Sequence, residues 1–158
     1  MSAIPTEGSA APDFTLPRDG GGTISLKDFR GKILVLYFYP KDDTSGCTTE
    51  AIGFSEKIED FAEAGATIVG VSKDSAQKHD KFKAKHALKV ILAADEELEA
   101  IKAYGVWVEK SMYGRKYMGI ERATFLIDAE GKIAKIWRKV RVKGHVDAVL
   151  AEVKSLGK

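Results

Sequence analysis

Cysteine is nearly absent from this sequence. Its 158 residues contain one, Cys47. One thiol excludes an internal disulfide framework and suits a reducing, cytoplasmic setting. It also excludes a Cys-x-x-Cys redox pair, because Glu50 stands at the fourth position. His79, His86 and His145 are the only histidines. They are scattered and have no second cysteine to help them, so no metal site is expected. Long apolar runs are missing as well. None approaches the ~20 residues that cross a bilayer, and Met1 to Ala11 lacks the basic-then-apolar order of a secretory signal. Nor does one sign of charge prevail. Twenty-five basic and 23 acidic residues leave a formal net charge of +2, which argues against nucleic acid or an acidic membrane as partner. Gly20-Gly21-Gly22 lacks the lysine–hydroxyl ending of a phosphate loop. No flavin, haem or other cofactor motif is present.

What remains has the balance of a soluble globular protein, 44% hydrophobic and 30% charged. The length suits one domain over 1–158 with a sizeable core. Met1 to Pro12 is small and polar and is expected to lie loosely on the surface. Asp13–Leu16 and Thr23–Leu26 read as a short hairpin around the glycines. Ile33–Phe38 and Thr67–Ser72 are buried strands flanking a helix that ends at Gly65, which implies a right-handed parallel crossover. Asp74 or Ser75 can cap the next helix, which runs to Ala87. Its lysines 78, 81, 83 and 85 read as a solvated face. Val90–Ala93 is a strand candidate, and Asp95 caps a helix with Glu96 and Glu97 in its first turn. Val106 to Glu121 reads as a long loop with room for one strand. Arg122–Ile127 and Lys132–Trp137 form a hairpin around Asp128–Gly131. Arg138 to Lys143 is a basic strand extension or exposed segment. His145–Leu156 closes as an amphipathic helix with Gly157 just past its end. This order is α/β with a mostly parallel centre.

Chemistry concentrates where the first buried strand meets its helix. Pro40 cannot donate a ladder hydrogen bond and should stop the strand. Asp42 to Gly46 is turn chemistry. From Cys47 onward, Ala51, Phe54, Ile58 and Phe61 recur at helical spacing. Cys47 therefore falls in the first helical turn, beside unpaired backbone N–H groups and the positive end of the dipole. Both favour an anion, and for cysteine that anion is the reactive thiolate.

Pro40-x-x-x-Thr44-x-x-Cys47 resembles the peroxiredoxin active-site signature. Its context, Tyr37 to Glu50, resembles the bacterioferritin comigratory, or Q-type, branch. The likeness extends through Ala11–Phe14, Gly70–Asp74, Tyr104–Trp107 and Arg122–Asp128. It implies a thioredoxin-like fold, with a central mixed sheet flanked by helices and an N-terminal β-hairpin. It also implies a thiol-dependent peroxidase acting on hydrogen peroxide and organic hydroperoxides. Two departures matter. Ser45 replaces a usual proline. The positions where Q-type relatives carry a second, resolving cysteine hold Ile52 and Lys83, so no disulfide can form within one chain.

The resemblance assigns Cys47 as the thiolate nucleophile and Arg122 as the cation beside it. A guanidinium stays charged and can donate to sulfur and peroxide. Thr44 can donate to and accept from a peroxide. Pro40 stiffens the loop and excludes water, and Glu50 anchors the arginine. The N–H groups of Gly46 and Cys47 are donors for developing charge. Oxidation would leave a sulfenic acid. Its reductant must come from outside: thioredoxin, glutaredoxin with glutathione, or a second subunit's Cys47. A monomer is expected, with a dimer possible. The competing function is a redox sensor or chaperone-like protein using Cys47 as a switch.

Overall fold

The structure, a computed structural model, describes residues 5–156. Its centre is a five-stranded sheet in the spatial order β5 (Ile91–Ala94), β4 (Ala66–Ser72), β3 (Ile33–Phe38), β8 (Ala123–Ile127) and β9 (Ile133–Trp137). Strand β3 lies parallel to β4, and β4 parallel to β5. Strand β8 runs antiparallel to both β3 and β9. The sheet is thus mixed, as the resemblance implied. The parallel strands are mostly apolar because helices and loops cover both faces.

Alternation along β3 divides the core. Leu34, Leu36 and Phe38 join Val69, Val71, Phe125 and Ile127 on one side. Val35 and Tyr37 join Ile68, Phe54, Leu126 and Val149 on the other. Tyr37 lies opposite Gly70 in the parallel register. A Cβ on Gly70 would sit 2.6 Å from the Tyr37 ring, so only glycine lets the ring cross β4.

On the second side pack α1 (Ser45–Glu56), α2 (Ile58–Glu63) and α5 (His145–Leu156). Periodicity predicts one helix from Cys47 to Gly65. The structure breaks it at Lys57, whose φ of -102° and ψ of 9° leave the helical region. Phe54 and Phe61 are still both fully buried, so the break re-aims the helix without losing its apolar face. Helix α3 (Ala76–His86) starts at Ser75, whose side chain accepts from the Lys78 N–H at 3.2 Å. Its lysines 78, 81 and 85 are exposed as expected, but Lys83 reaches Asp19 at 2.8 Å.

Three further expectations change. Val106 to Glu121 is a hairpin of β6 (Trp107–Met112) and β7 (Arg115–Ile120). The polar residues and two glycines of that stretch hide its alternation. Asp95 accepts from the Glu99 and Ile101 N–H groups, but α4 (Glu99–Ala103) starts later than expected, leaving Glu96 and Glu97 in the preceding turn. The segment from Thr6 to Ala11 is not loose. Gly8 donates to Ile133 O at 2.7 Å and Ala11 to Gly131 O at 2.9 Å, so the segment runs along β9. The N-terminal hairpin is present as β1 (Thr15–Pro17) and β2 (Thr23–Ser25), followed by a 3₁₀ turn at Leu26–Phe29. Met1–Ile4 and Gly157 lie outside the described residues.

Candidate active site

Topology brings the site together. In the antiparallel pair Phe38 lies opposite Ala123. Arg122, one residue before β8, therefore sits where β3 turns into the loop leading to α1. On α1, Cys47 is the third helical residue, and Cys47, Glu50, Ala51 and Phe54 are all buried. Their i, i+3, i+4, i+7 spacing makes one inward stripe. The guanidinium spans the first turn of that stripe. Nη2 donates to Cys47 Sγ at 3.4 Å, and Nη1 donates to Glu50 Oε1 at 2.7 Å.

Gly46 permits this approach. A Cβ there would stand 3.0 Å from Arg122 Nη2. Sequence reasoning used only its N–H and missed this clearance. Cys47 is 1% exposed and the Arg122 side chain 16%, so the site meets solvent at the arginine. Thr44 is the N-cap residue, yet its side chain makes no capping bond. Its hydroxyl donates to Lys41 O at 2.9 Å, leaving its oxygen free to accept. The first intrahelical bond runs from Thr48 N to Thr44 O, so the N–H groups of Ser45, Gly46 and Cys47 have no partner within the helix. Pro40 is half-buried at the start of the loop.

The electrostatics divide the two partners of Arg122. Burial raises the Glu50 carboxyl to about 7, against the opposing pull of Arg122. Its Oε2 is buried with no hydrogen-bond partner, which disfavours the ionised form. Burial pulls the guanidinium down, but Glu50 and Cys47 more than offset it, and Arg122 is raised. Tyr37, whose buried hydroxyl also has no partner among the described residues, is raised well above its ordinary value by burial and then by Glu50 and Cys47. The site is thus an interior where one fixed cation faces a sulfur and a carboxyl that resists ionising.

The loop before Cys47 is tied to α3 by residues the sequence reading left scattered. His79, fully buried, meets Asp42 Oδ2 through Nδ1 at 2.7 Å and Ala93 O through Nε2 at 2.9 Å. Asp42 Oδ1 also accepts from the Tyr39 hydroxyl, and the Asp42 N–H donates to Asp74 Oδ2 at 2.8 Å. Asp43, at a positive φ of 60°, meets Lys85 and His86 at 2.6 and 2.8 Å. The spacing of His79, Phe82 and His86 on one helical face was the available signal. His145 is held too, meeting Thr124 Oγ1 through Nε2 at 2.8 Å. Burial, and then Arg122, lowers it to about 4. Ile52 is half-buried on α1, and Lys83 is engaged with Asp19.

Comparison with known proteins places this geometry. The AhpC/TSA family profile matches residues 8–136. The chain belongs to the AhpC/TSA family. Within that family its relatives are peroxiredoxins of the Bcp, or Q, type. It is 53% identical to peroxiredoxin Bcp of Bacillus subtilis over 149 residues, covering 94% of this chain and 95% of that one. Among solved structures, Xanthomonas campestris peroxiredoxin Q superposes with a TM-score of 0.88 at 46% identity, covering 92% of each chain. A Xylella fastidiosa PrxQ mutant superposes with a TM-score of 0.93 at 37% identity over 100% of both chains. The fold is therefore the thioredoxin-like fold of the family, and its one cysteine is Cys47.

Proposed function

We propose that the chain, acting as one domain over 1–158, is a thiol peroxidase of the one-cysteine type. The observation that carries this reading is the guanidinium of Arg122 shared between Cys47 Sγ and Glu50 Oε1. It sets a fixed positive charge against the sulfur that has to act as the nucleophile. The thiolate attacks one peroxide oxygen and the O–O bond breaks. The departing oxygen leaves as water or an alcohol after taking a proton, and Cys47 is left as S–OH. Arg122 and the N–H groups of Gly46 and Cys47 meet the charge that builds on the departing oxygen. Thr44 Oγ1 accepts from the peroxide O–H. Pro40 keeps water from the sulfur. Glu50 holds Arg122 in position.

A thiol from another molecule then attacks the S–OH sulfur, releasing water, and a second thiol restores Cys47. Thioredoxin, or glutaredoxin with glutathione, is the expected source in a cytoplasmic setting. NADPH-coupled peroxide consumption tests the proposal, comparing the two reductant systems with Cys47→Ser as control. Many equivalents of peroxide should be consumed with at least one system. Consumption that stops near one equivalent would instead make Cys47 a sensor's switch. Cys47 still unmodified by mass spectrometry after one equivalent of peroxide would overturn both readings.

A further inference from the structure

The charge around Arg122 differs from that of the chain as a whole. Residues 106–122 and 138–143 carry eight basic and two acidic residues. That leaves 17 basic and 21 acidic for the rest, of 25 and 23 in all. The two basic segments meet beside Arg122. Val140 N donates to Arg122 O at 3.0 Å. Arg138 clamps Glu121 with two nitrogens at 2.9 and 2.7 Å, and the Lys139 N–H also meets Glu121. One of the two acidic side chains is thereby neutralised. Arg115, Lys116, Lys139, Arg141 and Lys143 are exposed and pair with no carboxylate among the described residues. Half-buried Lys110 is lowered by burial and then by Arg122, which brings this side of the hairpin within electrostatic reach of the guanidinium.

The hairpin also carries apolar side chains in water, with Met112 and Tyr117 on the face of Lys110 and Arg115, and Met118 on the opposite face with Lys116. Met112, Tyr113, Tyr117 and Met118 of the β6–β7 hairpin are 57, 99, 45 and 49% exposed. Only Leu156, at 37%, joins them among the exposed large hydrophobic residues described. An apolar patch rimmed by charge of one sign is the anatomy of a protein interface.

We infer that the β6–β7 hairpin and residues 138–143 form the docking surface for an acidic dithiol protein that reduces oxidised Cys47. This rests on the peroxidase reading and names the partner class of that site. The chain supplies no second thiol, and the surface converges on the arginine that touches Sγ. A second copy docked symmetrically would set this basic face against its own like charges. The dithiol reduces Cys47 S–OH by the exchange already described. One thiolate displaces hydroxide, which leaves as water, and the second displaces Cys47, so the dithiol becomes a disulfide as Cys47 returns to its thiol.

The test oxidises the protein with one equivalent of peroxide. It then measures reduction by an acidic thioredoxin kept reduced with its reductase and NADPH, and separately by dithiothreitol, a neutral dithiol. In Arg115→Glu/Lys139→Glu/Arg141→Glu the thioredoxin-to-dithiothreitol rate ratio should fall about tenfold or more. With the unmutated protein the ratio should fall steeply between about 20 and about 300 mM salt. A ratio unmoved by both salt and charge reversal overturns the docking surface while leaving the peroxidase reading intact. If salt-sensitive capture of a short DNA duplex accompanies an unmoved ratio, the surface belongs to nucleic acid instead. Failure to consume peroxide with any thiol would strike the peroxidase reading itself.

Discussion

Glu50→Gln separates the two roles the structure gives this buried carboxyl. Glutamine keeps the shape and can still accept from Arg122 Nη1, but it cannot titrate. In the folded protein Glu50 is raised from 4.5 to about 7. Below about pH 4.5 the folded and unfolded chains both hold the proton. Between there and about 7 only the folded chain does. Above 7 neither does. Stability from this group is thus fully present at low pH and lost as pH rises through the folded value. At about 1.4 kcal/mol per pH unit the loss amounts to about 3 kcal/mol. His145, lowered to about 4 by burial and Arg122, slopes the other way. Its contribution is present above 6.5 and lost as pH falls toward 4. Because His145 titrates in both proteins, its slope cancels in the difference. Urea denaturation from about pH 5 to about pH 8 should therefore show the variant gaining on the unmutated protein by about 2–3 kcal/mol, mostly before pH 7. Peroxidase rate should fall by no more than about tenfold, because the neutral acceptor remains. A stability difference that stays flat over this range would mean that Glu50 is ionised throughout. The burial argument would then be wrong.

Arg122→Met should slow peroxide consumption by about 10²–10³ and slow alkylation of Cys47 near neutral pH, read by stopped flow and iodoacetamide labelling. Unchanged rates would remove Arg122 from the mechanism. Gly46→Ala adds a Cβ 3.0 Å from Arg122 Nη2. Helix propensity alone favours alanine by up to about 1 kcal/mol. Peroxidase activity should therefore drop without loss of melting temperature, and equal activity would mean the guanidinium shifts freely. Gly70→Ala drives a methyl into the Tyr37 ring at 2.6 Å and should cost about 1–3 kcal/mol in chemical denaturation. A neutral result would show that the ring moves aside.

Much of the architecture was legible because local patterns carried it. The buried run Ile33–Phe38 has the bounds of β3. His145–Leu156 is a helix over that span. The hairpin around Asp128–Gly131 forms as its turn residues require. Where the pattern was diluted, it misled. The break at Lys57 interrupts a helical stripe that stays in phase. The β6–β7 hairpin mixes polar residues with methionine and tyrosine side chains that stay in water, so no apolar periodicity announces it.

By itself the sequence determined that a lone thiol follows a buried strand and opens a helix, because strand run, turn chemistry and helical spacing are all encoded within a few residues. It determined the family by the ordered motifs around that thiol. Only the tertiary structure decided what surrounds the sulfur. Arg122 stands 75 positions from Cys47 along the chain, and it reaches Sγ because β8 returns antiparallel to β3 and Gly46 offers no side chain in its path. The burial that keeps the Glu50 proton, the His79 tether under the loop and the basic face around Arg122 arise in the same way. Each joins residues distant in sequence, and solvent exclusion and charge accumulation are properties of the assembled fold.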